Sequence, residues 1–231
     1  MWQPLSVDAW KARGKSDISS VFPAVSGIIK QVREEGDKAV LELTARFDKV
    51  DLQGLQVSQK EIDDAYSKIE PELLDALKFA KERIERYHKR QRPDDITLVK
   101  EGGSALGWKY SPLASVGVYI PGGRASYPST ALMCAVPAKV AGVRNIIACT
   151  PPPVHPLTLI ALDLAGVDRI YKCGGAQAIA AMALGTRTVP KVQKIVGPGN
   201  VYVTAAKVLL RQDVEMDFPA GPSEIGILAD K

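Results

Sequence analysis

The chain has 231 residues, 46% hydrophobic and 24% charged, with a formal net charge of +4 at pH 7. That balance fits one large or two modest globular domains and excludes a disordered or collagen-like chain. Its apolar runs are too short to cross a bilayer, and Met1-Trp2-Gln3-Pro4 lacks the basic region and apolar core of a signal peptide. Three widely spaced cysteines, Cys134, Cys149 and Cys173, form no Cys-x-x-Cys pair. Free thiols in a reducing cytoplasm are the expectation.

Ser6 to Ser20 is short, polar and uninformative. From Val25, the apolar positions Ile28, Ile29, Val32, Ala39, Val40 and Leu43 predict helices interrupted near Gly36. Ser58 stands three residues before Glu61, the spacing of a capping box. Ile62, Ala65, Tyr66 and Ile69 then follow at helical spacing, and Pro71 is expected to end that helix and start the next. The next helix carries Leu73, Leu74, Leu77, Ala80, Ile84 and Tyr87 and is predicted to reach about Gln91. Its basic residues, Lys78 to Arg92, are interleaved with Glu82 and Glu85. They read as a solvated helix face, with a nucleic-acid patch as the competing reading. Two strand-like runs, 96–101 and 105–110, flank Gly102-Gly103-Ser104 and predict a hairpin.

Past Pro112 the composition turns small and apolar, and one pattern recurs. Val116 to Ile120 stops at Pro121-Gly122-Gly123. Asn145 to Thr150 stops at three prolines. Arg169 to Cys173 stops at Gly174-Gly175, and Lys194 to Val196 at Gly197-Pro198-Gly199-Asn200. Helix-like segments begin near Pro128, Pro156, Ala176 and Val201, and Gly142, Gly166 and Gly185 fit C-terminal caps of the first three. Glu224 to Ala229 is predicted to be a fifth strand. The alternation predicts an α/β protein with a parallel sheet of βα units, preceded by a helix-rich segment with a β-hairpin.

In such sheets ligands sit beyond the carboxyl ends of the strands, where the Gly, Pro, Asn and Gln residues gather. Glycine at Gly122, Gly123, Gly174, Gly175, Gly197 and Gly199 permits close approach of another molecule to the backbone. The helix starts that follow suit a phosphate. Gln177, Asn200 and Tyr119 add polar contacts, which makes a nucleotide site one reading and ordinary sheet turns the other. The dinucleotide fingerprint Gly-x-Gly-x-x-Gly is absent, since Tyr202 stands where its third glycine belongs, and there is no Walker loop. His88 and His155 have no second ligand at metal spacing and are expected to pack or face solvent. Cys173 is expected to be buried, because no base lies near it in sequence. Ser223 lies in a tight loop where turn chemistry or substrate contact are both open. Glu224 alone does not make an acid/base pair.

Four ordered motifs carry a resemblance. They are Val118-Tyr119-Ile120-Pro121-Gly122-Gly123, Cys173-Gly174-Gly175-Ala176-Gln177-Ala178-Ile179-Ala180, Val196-Gly197-Pro198-Gly199-Asn200 and Pro219-Ala220-Gly221-Pro222-Ser223-Glu224. Together they closely resemble histidinol dehydrogenase. Gly36-Asp37-Lys38-Ala39-Val40 and Thr44-Ala45-Arg46-Phe47-Asp48 extend the resemblance back to about Val25. It implies NAD-dependent, zinc-requiring oxidation of L-histidinol to L-histidine through an aldehyde, in a cytoplasmic, intertwined homodimer. By resemblance, Tyr119, Gln177 and Asn200 contact NAD and Ser223 contacts substrate. It also implies an incomplete Rossmann-like cofactor lobe at 115–224. A split second domain would contribute residues 1–114 and resume at 225–231.

The family's zinc ligands and catalytic Glu-His pair lie downstream of the last motif, and only seven residues follow Glu224 here. The expectation is therefore an inactive fragment, with a non-catalytic nucleotide-binding module as the alternative.

Overall fold

A computed structural model of the chain describes residues 6–7, 18–94, 96–122 and 126–217. A short 3-10 turn, Ile18–Val21, leads into α1 (Phe22–Glu35), α2 (Asp37–Asp48), α3 (Gln59–Tyr66) and α4 (Pro71–Lys89). The hairpin β1 (Ile96–Glu101) and β2 (Ser104–Lys109) follows. Then β3 (Ser115–Tyr119), α5 (Pro128–Val140), β4 (Asn145–Thr150), α6 (Pro156–Leu164), β5 (Arg169–Lys172), α7 (Gly175–Leu184), β6 (Lys194–Val196), α8 (Val201–Leu209) and β7 (Glu215–Met216) alternate. The expected α/β architecture is present.

One sheet has the order β5-β4-β3-β6-β7, with every pair parallel. Its side chains alternate between two cores, as a strand's period of two requires. Tyr119, Cys149, Tyr171 and Ile195 face α7 and α8, and α1 and α2 complete that layer through Val25, Ile29, Val32, Val40 and Leu43. Val116, Val118, Ala148 and Ile170 face α5 and α6, covered in turn by α3 and α4. The first helices therefore straddle the edge of the sheet. Between them, Leu55–Val57 adds to β5: Val57 N–H donates to Ile170 O (2.8 Å) and Lys172 N–H to Leu55 O (2.6 Å). This contact covers backbone that an open edge would leave unpaired.

Several details differ from the sequence reading. α3 stops at Tyr66, well before Pro71, because Ser67 closes it: its N–H donates to Asp63 O (3.1 Å) and its hydroxyl to Asp64 O (2.8 Å). β7 is a sheet strand of two residues, too short to show any periodicity. The strand expected at Glu224 to Ala229 lies outside the described residues. Gly36 does break the first helical stretch, with φ +59°, and Gly142, Gly166 and Gly185 take positive φ past their helices.

The capping box at α3 forms as its spacing predicts. Ser58 Oγ accepts from Glu61 N–H, and the Glu61 carboxylate accepts from Ser58 N–H (2.9 Å). Glu61 also pairs with Lys172 (3.0 Å), which ties α3 to the end of β5. Burial alone would raise the Glu61 carboxyl, but Ser58 and Lys172 outweigh it and hold it below its ordinary value. Ser58→Ala is expected to lower stability by about 1 kcal/mol, a fall of roughly 2–4 °C in thermal midpoint. A calorimetric scan checks this, and an unchanged midpoint would show the cap to be idle.

Candidate functional site at the switch point of the sheet

β3 and β6 are neighbours, yet the chain leaves them in opposite directions: toward α5 after β3 and toward α8 after β6. A crevice opens where crossovers diverge in this way. By that rule the ligand edge lies between Ile120-Pro121-Gly122 on one side and Gly197-Pro198-Gly199-Asn200 on the other.

Tyr119 closes β3 and is only 3% exposed. Its hydroxyl accepts from Gly175 N–H (3.1 Å), the first amide of α7. Burial pushes this phenol up to about 12, against the lowering effect of the Gly175 bond, so it is a neutral hydroxyl at pH 7. Gln177 is buried, and its Oε1 occupies the space that a side chain at Gly175 would take. Asn200 is exposed and caps α8, its Oδ1 accepting from Tyr202 N–H (3.0 Å) and Val203 N–H (3.1 Å). That use of the oxygen leaves the amide Nδ2 as the part of the side chain not engaged in capping. Tyr119 and Gln177 thus meet at the start of α7, and Asn200 stands across the crevice at the start of α8. Ser223 lies outside the described residues.

Gly122, Gly174, Gly197 and Gly199 serve internal packing, and Gly123 lies outside the described residues. A side chain at Gly122 or Gly174 would strike Pro151, one at Gly199 would strike Val203, and one at Gly197 would strike the backbone of Tyr119. The space beside them is filled by the chain itself. They let the ends of β3, β4, β5 and β6 pack tightly.

A latch that sequence reasoning missed fixes the Gly197 turn. Lys207 is buried, and its ammonium donates to Gly197 O and to the Asp217 carboxylate. The same carboxylate accepts from Gly197 N–H (2.8 Å). Both polar groups of Gly197 are thereby held by one ion pair. The available signal was a lone lysine among Val203, Ala206 and Leu210, on an otherwise apolar helix face.

The remaining candidates pack. Cys173 and Cys149 are fully buried, and burial, with the hydrogen bond between the two thiols, raises Cys149 far above the usual thiol value. His155 caps α6 by accepting from Leu157 N–H (3.2 Å). His88 stacks edge-on with Tyr87. Among the described residues no group of three or more His, Cys, Asp or Glu could hold a metal ion. They therefore do not fit a zinc site.

The family model described as histidinol dehydrogenase matches residues 11–231. A histidinol dehydrogenase of Methanosarcina barkeri is 54% identical over 221 residues, covering 94% of this chain and 51% of the relative. One from Archaeoglobus fulgidus is 52% identical, covering 96% and 56%. The crystal structure of histidinol dehydrogenase from Elizabethkingia anophelis superposes with a TM-score of 0.86 at 37% identity, covering 95% of this chain and 52% of that one. The chain spans about half the length of the curated relatives it matches.

Proposed function

Given that this chain belongs to the histidinol dehydrogenase family, we propose that residues 115–224 form the cofactor lobe for NAD-dependent oxidation of L-histidinol to L-histidine. The observation that carries the reading is the switch-point crevice, with Tyr119 and Gln177 at one helix start and Asn200 at the other. NAD, when bound, supplies the hydride acceptor. Asn200 donates from Nδ2 and fixes the register of the cofactor against the Gly197 turn. Tyr119, held neutral, offers its hydroxyl without a charge that would repel phosphate. The Lys207–Asp217 pair keeps that turn from shifting, so the site is organised before the cofactor arrives.

Ser223 is assigned to substrate contact. Zinc belongs to the proposed reaction, and the described residues do not hold it. By themselves, residues 1–231 are proposed to bind cofactor without turnover. A cytoplasmic homodimer completes the reading. Leu98, Val99, Leu106 and Trp108 of the hairpin are each more than half exposed. A two-stranded hairpin is marginal alone, and a partner copy would cover these apolar groups.

Asn200→Asp tests the assignment. It keeps the helix-capping oxygen but replaces the donor with an acceptor. The expected result is an unchanged melting temperature and a dissociation constant for NAD raised about tenfold, the worth of one hydrogen bond to the cofactor. Unaltered NAD affinity in a calorimetric titration would sink the assignment.

A further inference from the structure

Asp48 is an acid that the site described above does not use. Its position follows from the path of α2. Asp37, the first residue of α2, accepts from Thr188 N–H (3.2 Å) and Thr188 Oγ1 (2.6 Å), in the loop that joins α7 to β6. That loop lies at the amino ends of the strands. α7 descends to it from the carboxyl ends, and α2 packs against α7. α2 therefore rises beside α7, and its twelve residues climb about 18 Å at about 1.5 Å per residue. The chain then turns down again, because Leu55 pairs with Lys172 and Val57 with Ile170, antiparallel to β5. Asp48 thus emerges at the carboxyl edge of the sheet, the edge that carries the Tyr119 hydroxyl and the start of α7.

Nothing local makes a carboxylate favourable there. Oδ2 of Asp48 is buried with no hydrogen-bond partner among the described residues, and so is Oγ1 of Thr44, one turn earlier on the same face. Burial raises the Asp48 carboxyl. A negative charge in the last turn of a helix also opposes the helix dipole. Lys49 beyond it adopts left-handed backbone at φ 59°, uncommon for a residue other than glycine. An apolar or amide side chain would be more stable in this position. Among the described residues, then, this half-buried carboxylate has an oxygen with no partner.

The partner's chemistry follows from the carboxylate. When ionised it only accepts hydrogen bonds, with two oxygens side by side, and it repels phosphate. A vicinal diol presents two matching hydroxyl donors. In doubly wound sheets the first βαβ half commonly uses an acid for the ribose of the nucleotide. Here β4 ends in Thr150-Pro151-Pro152 with no acid, and α2 delivers one to the same edge.

We propose that Asp48 accepts the hydroxyl hydrogens of the cofactor's adenosine ribose and so selects NAD over its 2′-phosphorylated form. This rests on the NAD reading above. The test is calorimetric titration of the purified protein and its Asp48→Asn variant with NAD and with NADP, beside thermal melts without ligand. The expected result is about tenfold weaker NAD binding in the variant, a narrower NAD-to-NADP ratio, and a melting temperature equal to or above the parent's. NAD affinity and ratio both unchanged would overturn the role of Asp48 and leave the NAD site standing. Weaker binding with an unchanged ratio and a lowered melting temperature would show a purely structural role and overturn it too. Failure of the parent protein to bind NAD at all would overturn the NAD reading, and this inference with it.

Discussion

Lys207→Met is expected to destabilise the protein by about 3–5 kcal/mol, because breaking a buried ion pair leaves its other half uncompensated. The Lys207 side chain is 7% exposed and that of Asp217 27%. Without the ammonium, the part-buried Asp217 carboxylate loses its counter-charge, and the carbonyl of Gly197 loses its donor. Denaturant titration measures the loss, which corresponds to roughly 10 °C in thermal midpoint for a chain of this size. The double variant Lys207→Met/Asp217→Asn should recover part of it, since an amide still accepts from Gly197 N–H and carries no charge. A loss under about 1 kcal/mol in the single variant would mean that the pair behaves as a solvent-screened surface contact.

Gly197→Ala is the second large effect. Gly197 has φ +118°, a conformation that L side chains rarely adopt, and the added carbon would meet the carbonyl oxygen of Tyr119. Its neighbours there are backbone atoms, which cannot rotate away. Backbone strain and overpacking each cost about 1–3 kcal/mol, so a loss of about 3 kcal/mol or more is expected. Gly27→Ala serves as the control. It lies in α1 with open space beside it, and alanine there should gain about 0.5–1 kcal/mol. Equal stability of the two variants would show that Tyr119 and Gly197 can separate freely, and the crevice walls would then not be preorganised.

The recurring unit of β-branched strand, Gly or Pro stop and Ala-rich helix was legible without coordinates, because local periodicity and turn chemistry carry it. The same holds for the capping box at Ser58 and the helix break at Gly36. The glycine turns were visible as well, but not what packs against them. Sequence shows that a glycine permits close approach, and only packing shows that Pro151, Val203 and the Tyr119 backbone are what approach. Tyr119, Gln177 and Asn200 came from motif resemblance. Their environments (a buried neutral phenol, a buried amide and an exposed cap) came from the fold.

By itself, then, the sequence determined the order and type of the longer elements, and through its four motifs the family. Those properties depend on residues near one another in the chain. Tertiary structure alone decided the strand order that opens the crevice between β3 and β6. It alone placed α2 beside α7, so that Asp48 reaches the ligand edge, and closed Lys207, Asp217 and Gly197 into one latch. Each of these joins residues through space across separate elements. Their pairing is set by which faces must be buried together and by the scarcity of partners for a buried charge, and neither leaves a period in the sequence.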